Sequence, residues 1–171
     1  MDDYGYITTK RLALRALTYE QLASALEALE AAFTPPYAQS SSGARLMAER
    51  LLLYRHKRVL MGIYPDERMF CTTWLMELNG DGTAVGELGF KGPPVGGEVE
   101  IGYGVEPRYR NRGYMKEAAA ALCDYGLSLP GVTSIAAYTG SENYASQNVL
   151  AACGFEFLSK YGKMIKFRLR P

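Results

Sequence analysis

No run in this chain approaches the ~18 consecutive apolar residues that a membrane-spanning helix needs, so a membrane partner is not expected. Disulfides are not expected either. The three cysteines, Cys71, Cys123 and Cys153, are odd in number, far apart and never spaced C-x-x-C. They read as buried thiols of a reducing compartment, not as a disulfide framework or a metal site. Histidine occurs once, as His56 at the end of a polar stretch; it reads as a surface residue, and no metal is expected. An excess of one charge is missing too. The formal net charge is +1, so attraction for nucleic acid or an anionic membrane would need a local patch. The opening Met1-Asp2-Asp3 has no basic region and no apolar run behind it, so a cytoplasmic protein is expected. Two phosphate-binding signatures are also lacking. There is no G-x-x-x-x-G-K-[ST], which excludes a P-loop. Gly102-Tyr103-Gly104 does not continue as G-x-G-x-x-G, because Pro107 stands at the third glycine position, which argues against a Rossmann dinucleotide site.

What is present is the material of one globular domain, residues 1–171, with 48% apolar and 22% charged residues. At this length roughly 70% of the unfolded surface can be buried, so a core needs no covalent staples. Residues 7–15 end in the alternation Arg11-Leu12-Ala13-Leu14-Arg15, which predicts a strand. Thr18 and Gln21 fit a capping box, followed at helical spacing by Leu22, Leu26, Leu29 and Phe33, and stopped by Pro35-Pro36. Ser40-Ser41-Ser42-Gly43 precedes a second helix expected over residues 44–56, while residues 57–67 show no clear pattern. Strands are expected at 69–78 and 83–90 around the turn Asn79-Gly80-Asp81-Gly82. A loop over residues 92–97 leads to a strand at 98–105. Met115, Ala118, Leu122, Tyr125 and Leu129 predict a helix over 114–129, ended by Pro130-Gly131. A strand at 132–139, a short helix at 143–153 closed by Gly154, and a last hairpin around Gly162 complete the chain. The order predicts a mixed α/β (α+β) sheet in a single domain.

The densest signal is the junction after that fourth major strand. Glu100-Ile101-Gly102-Tyr103-Gly104-Val105 runs into Glu106-Pro107-Arg108-Tyr109-Arg110-Asn111-Arg112-Gly113-Tyr114-Met115. Arg108, Arg110, Arg112 and Lys116 cluster there against one acid, Glu106, in a chain with almost no net charge. A strand, a glycine-containing turn and a helix start together present backbone N–H groups and the positive end of a helix dipole to an anion. A pyrophosphate suits such a turn; a solvated basic loop is the plainer alternative.

At this point the chain resembles the GCN5-related N-acetyltransferase superfamily, in the branch that includes the ribosomal-protein alanine N-acetyltransferases. Thr9-Lys10-Arg11-Leu12-Ala13-Leu14-Arg15 is similar to that branch's opening T-x-R-L-x-L-R strand. Residues 100–103 are similar to its fourth strand, and residues 110–118 to the [QR]-x-x-G-x-[GA] loop that binds acyl-CoA. Asn143-Tyr144-Ala145-Ser146, with Gly154-Phe155, is similar to its N-x-x-S…G-F segment. The resemblance implies a sheet of about seven strands, splayed between the fourth and fifth, with four flanking helices. It implies acetyl-CoA as co-substrate, with pantetheine along Tyr103 and Val105. It further implies the pyrophosphate at Arg110, Asn111, Arg112, Gly113, Tyr114 and Met115, and a hydrogen bond from Asn143 to the pantetheine arm. Met115 stands where many members have Gly or Ala, although this branch often has Met. Many members also carry a tyrosine seven residues after the motif asparagine to protonate the leaving thiolate. Here that residue is Leu150, which leaves Ser146 as donor.

Acetyl transfer to an amine requires loss of the ammonium proton, a stabilised oxyanion and a thiolate that can leave. Glu100 and Glu98 lie two residues apart on one strand face. Glu100 is nearer the splay and is the preferred base, with Glu87 as a second candidate; a structural ion pair is the plainer role for each. Cys123 and Cys153 fall on apolar helix faces and read as core. Among 13 tyrosines, Tyr19, Tyr37 and Tyr54 are candidates for an acceptor pocket or for simple packing. The expected activity is acetyl-CoA-dependent N-acetylation of a primary amine, on a protein N-terminus or a small molecule, by direct attack in a ternary complex. The alternative is a non-catalytic acyl-CoA-binding module. No nucleic-acid partner is expected, and the protein is expected to be a monomer or homodimer.

Overall fold

A computed structural model describes residues 5–32 and 42–171, with the side chains of 42–46 excepted. Its architecture follows from one alternation. In β3 (Trp74–Leu78), Trp74 and Met76 point into one core cluster while Leu75 packs on another. Successive side chains of a strand face opposite sides, so the sheet is covered on both faces. One cover is α4 (Tyr114–Ser128) with α5 (Tyr144–Ala152), which supply Met115, Ala118, Ala119, Leu122, Cys123 and Leu150. The other is α1 (Tyr19–Ala32), α2 (Ser42–Ile63) and the single turn α3 (Arg68–Cys71), which supply Leu22, Leu26, Leu51, Tyr54, Met61 and Cys71.

The remaining strands are β1 (Tyr6–Thr8), β2 (Leu12–Ala16), β4 (Ala84–Phe90), β5 (Glu98–Val105), β6 (Ser134–Gly140), β7 (Glu156–Tyr161) and β8 (Met164–Leu169). The described residues form one eight-stranded sheet in the order β1-β2-β3-β4-β5-β6-β8-β7. Every neighbouring pair is antiparallel except β5 and β6. Those two are parallel because α4 carries the chain from the end of one back to the start of the other. Their pairing runs from Glu98↔Ser134 to Ile101↔Ala137 and stops. Beyond it, Gly102 to Val105 stay with β4, while Tyr138 to Gly140 stay with β8. The expected splay is therefore present, between the fifth and sixth strands of this numbering.

Local chemistry behaves largely as the residues predict. Thr18 Oγ1 accepts from the Gln21 N–H at 3.1 Å, and Gln21 Oε1 accepts from the Thr18 N–H at 3.0 Å, a complete capping box. Asn143 caps α5 by accepting from the Ser146 N–H at 3.1 Å. Where α4 crosses the sheet, Gly126 meets Phe90: a Cβ at 126 would lie 2.5 Å from the ring.

Three expectations change. The opening strand is two strands, because the Thr9 N–H donates to the Leu12 carbonyl at 2.8 Å and Thr9 Oγ1 accepts from the Leu12 N–H at 3.0 Å, folding a turn between β1 and β2. This gives eight strands instead of seven. The second helix does not end at His56 but runs to Ile63. Its last two turns combine helix-poor Val59, Gly62 and Ile63, yet Met61 is buried in the core cluster that α2 shares with α1 and α3. Residues 69–71 belong to α3, so the strand expected from Met69 begins at Trp74 and a fifth helix is added. Pro35-Pro36, Phe33, Tyr37, Ser40 and Ser41 lie outside the described residues.

Leu122 is fully buried between α4 and the sheet. Leu122→Ala is expected to lower the unfolding free energy by about 2–5 kcal/mol. Urea denaturation should show this as a lower midpoint with an unchanged slope.

Candidate active site

Where β5 and β6 part, the chain turns through Glu106 to Gly113 into α4. Asn111 takes φ 60° and Gly113, at the N-cap of α4, φ 78°. Positive φ at closely spaced residues curls a backbone so that its N–H groups converge. The first N–H groups of α4 join them, having no carbonyl within the helix. The turn is braced by Arg11, the residue just before β2. Arg11 Nη1 donates to the Arg112 carbonyl at 2.9 Å, Arg11 Nε binds Glu117 at 2.7 Å, and the guanidinium lies 4.8 Å from the Tyr114 ring centre. Glu117 also accepts from Thr9 Oγ1 and the Arg11 N–H, each at 2.7 Å. Burial would raise the Glu117 pKa, but these hydrogen bonds outweigh it and hold the carboxyl below the usual range. Around the turn lies a cavity of ≈ 760 Å³. Tyr103, Val105, Arg110, Asn111, Arg112, Gly113, Tyr114, Met115 and Asn143 all line it. These are the nine residues the sequence singles out for the cofactor.

A second cavity of ≈ 450 Å³ opens on the α2 side. It passes between the parted strands, lined by Ile101 to Gly104 of β5 and Ala137 to Gly140 of β6. Arg50, Glu87, Tyr103, Gly104, Asn143 and Ser146 line both cavities. The two spaces therefore meet at these residues. Glu87 pairs in register with Gly104, which has no side chain to cover it. Its carboxylate accepts from Arg50 Nε at 3.0 Å and from the Tyr54 hydroxyl at 2.6 Å. Arg50 reaches on to Glu106 at 2.9 Å. Burial opposes the Arg50 charge, but Glu87 and Glu106 raise its pKa overall; burial and Glu87 raise that of Tyr54. Across the junction, the Tyr103 hydroxyl and Ser146 Oγ lie 2.9 Å apart.

A strand pair that parts and an N–H-lined turn before a helix are what the resemblance implies, and comparison with known proteins decides the family. The sequence profile of the acetyltransferase (GNAT) domain matches residues 11–156. The chain belongs to the GNAT acetyltransferase family. It is 34% identical over 84 residues to the uncharacterized N-acetyltransferase YjdG of Bacillus subtilis (strain 168), a match spanning 48% of this chain and 50% of that relative. The similar stretch thus covers about half the length of YjdG. It is 25% identical over 154 residues to the uncharacterized N-acetyltransferase YoaA of the same strain, covering 90% of this chain and 84% of YoaA. Among solved structures, RimL, a ribosomal L7/L12 alpha-N-protein acetyltransferase in complex with coenzyme A, superposes with a TM-score of 0.68. It shares 15% identity over 97% of this chain and 98% of its own.

Within this GNAT domain the candidate catalytic residues divide. Ser146 stands at the junction of the cavities, and Glu87 stands opposite it. Glu100 does not reach the junction. It sits in the paired part of β5, opposite Ala136, its carboxylate is ion-paired with Lys91, and it lines neither cavity. Glu98 is bound by Lys166 at 2.5 Å and Arg168 at 2.7 Å. Burial would raise its pKa, but these two cations hold it low. Leu150, at the position of the family's tyrosine, is buried in the core. Asn143 caps α5 through Oδ1, which leaves its amide N–H groups for the cavity. Cys123 is buried and its thiol pKa is pushed up by burial. Cys153 is half-buried, with Sγ 3.5 Å from the Lys116 carbonyl. His56 is exposed. Tyr19 stacks beside Arg58 on the surface, and Tyr54 lies behind Glu87, so neither lines a cavity.

Sequence reasoning missed Arg11, Arg50 and Lys57. Arg11 was visible inside the strand motif. Lys57 falls on the apolar stripe of α2, three residues after Tyr54 and four before Met61, and a charge on such a stripe is itself a signal. Lys57 is 3% exposed and donates to the Phe90 carbonyl. Burial lowers its pKa to about 8 from 10.5, with Cys71 raising it and Lys91 lowering it.

The Lys57 shift has a consequence for stability. The unfolded chain binds more protons than the folded one between pH 8 and 10.5, so this group makes stability rise with pH in that window. Below it the cost is fully present, on the order of 3 kcal/mol. Lys57→Met is therefore expected to raise the melting temperature at pH 7. The gain over the wild type should shrink as the pH is raised to 9.5 in parallel melting curves.

Proposed function

We propose that this chain transfers an acetyl group from acetyl-CoA to a primary amine, by direct attack while both substrates are bound. The observation that supports this most is the meeting of two cavities at Glu87, Gly104, Tyr103 and Ser146, where β5 and β6 have parted. The residues fit the co-substrate. The edge of β5 after Ile101 has no strand on the β6 side, so the backbone at Tyr103 and Val105 can pair with an extended pantetheine arm as a strand would. N–H groups from Asn111 to Met115, beside Arg110 and Arg112, suit the pyrophosphate. The Asn143 amide suits the pantetheine carbonyls.

Glu87, not Glu100, is the carboxylate we assign to the proton of the amine, directly or through a water. It lines both cavities, whereas Lys91 engages Glu100 away from them. The amine nitrogen bonds the acetyl carbon, the C–S bond breaks, and the amine gives up one proton. The sulfur takes one from Ser146, whose hydroxyl is backed by Tyr103. Burial raises the Tyr103 pKa even though Ser146 works to lower it, so the phenol keeps its proton at neutral pH and can replace the one that Ser146 donates. RimL acts on a protein N-terminus; the acceptor here is a small amine or such an N-terminus, in a protein of the cytoplasm.

Calorimetry should show acetyl-CoA binding, and a panel of amines and N-terminal peptides should release free CoA. Glu87→Gln and Ser146→Ala are each expected to lower kcat by about 10²-fold or more, with the Kd for CoA within about twofold of the wild type. Absence of acetyl-CoA binding overturns the proposal. CoA binding without turnover on any amine favours a non-catalytic acyl-CoA-binding module instead, a reading supported by Leu150 in place of the tyrosine.

A further inference from the structure

The cavity on the α2 side holds a cation that acetyl transfer does not use. Lys57 lines this cavity, is buried, and spends one of its three N–H donors on the Phe90 carbonyl. Among the described residues no carboxylate forms an ion pair with it. The ionisable groups that act on it are the Cys71 thiol, which burial pushes up to about 11 and so keeps neutral, and the Lys91 ammonium, already paired with Glu100. An ammonium without a counter-charge is costly to bury.

A second group at the same end is also unsatisfied. Thr73 is 2% exposed and lines the cavity, and its Oγ1 has no hydrogen-bond partner among the described residues. Both stand over one stretch of β4. The backbone of Thr73 lies against Gly89, while Lys57 bonds the next residue, Phe90. Gly89 pairs in register with Gly102, so the floor between them carries no side chain. The Lys91 stem passes above Gly102. The spare N–H donors of Lys57 and the unpartnered Thr73 hydroxyl, both lining this cavity, suit a bound anion.

That end is two residues along β4 from Glu87, about 7 Å at the rise of a strand. We propose that the acceptor is an amine that also bears a carboxylate, with the amine at Glu87 and Ser146 and the carboxylate at Lys57 and Thr73. The spacing matches a dipeptide, or an amino acid that reacts through a side-chain amine. This rests on the acetyl-transfer reading above and narrows its substrate class.

The test uses matched acceptors, glycylglycine against glycylglycinamide and lysine against lysinamide, followed by CoA release. A second arm measures binding of N-acetylglycylglycine and its amide to the CoA complex by calorimetry. The free carboxylates are expected to show a KM at least tenfold lower than the amides, and the acetylated dipeptide to bind where its amide does not. Lys57→Met should abolish both preferences, and Thr73→Val should weaken them several-fold, with the Kd for acetyl-CoA unchanged. Amides that serve as well as acids, or a carboxylate preference that survives Lys57→Met, overturn the proposal. A decapeptide with an acidic second residue that outperforms every dipeptide also overturns it, since the carboxylate then belongs to a protein N-terminus. If no acceptor releases CoA, the transfer reading fails, while the calorimetric arm still decides the carboxylate site.

Discussion

Between Ile101 and Gly102 the backbone of β5 loses its neighbour on one side. A strand interior to a sheet normally has both rows of peptide groups satisfied, and a buried N–H or C=O left alone is costly. Here the open row faces cavities instead of protein. That single change in pairing makes the gap and exposes a strand edge. It also allows residues from both faces of the sheet, Glu87 from the α2 side and Ser146 from the α5 side, to reach one place. The rest of the molecule holds the two halves of the sheet in that relation. β4 carries the free end of β5, β8 carries the free end of β6, and α4 packs beneath.

Charge is distributed so that few carboxylates are left to do chemistry. Glu98 is taken by Lys166 and Arg168, Glu100 by Lys91, Glu117 by Arg11, and Glu77 by Arg15. Glu87 is also paired, but its partners come from α2 and the residue across from it is glycine, so one side faces the junction. Strand position along the sequence favours Glu100 over Glu87. What reverses the order is that Glu100 lies in the paired part of β5 and is held by Lys91, while Glu87 lies across from Gly104 beside both cavities.

The sequence makes legible whatever depends on neighbours along the chain. The capping box at Thr18, the turn at Asn79–Gly82, the N-cap at Asn143 and the basic turn after β5 are written in short motifs whose physics is local. The lining of the larger cavity follows, because most of it is one continuous segment. What is not legible comes from distant contacts. α2 outlasts its helix-forming residues because Met61 is buried. Residues 69–71 coil where their apolar pattern reads as strand. Arg50 and Lys57 gain their meaning only when α2 is laid over β4. The choice of carboxylate belongs to this second kind.

Arg50 touches both spaces at once: its Nε holds Glu87, and its Nη2 holds Glu106 at the entrance to the basic turn. One rigid planar fork thus ties the floor of one cavity to the rim of the other. In thermodynamic terms, a guest that pulls on this guanidinium from one space acts on a guest in the other. Whatever free energy a guest in one cavity uses to draw the guanidinium toward itself must reappear, equal in size and sign, as the effect of the other guest on the first. Any such coupling would pass through a side chain that lies between the two spaces and belongs wholly to neither.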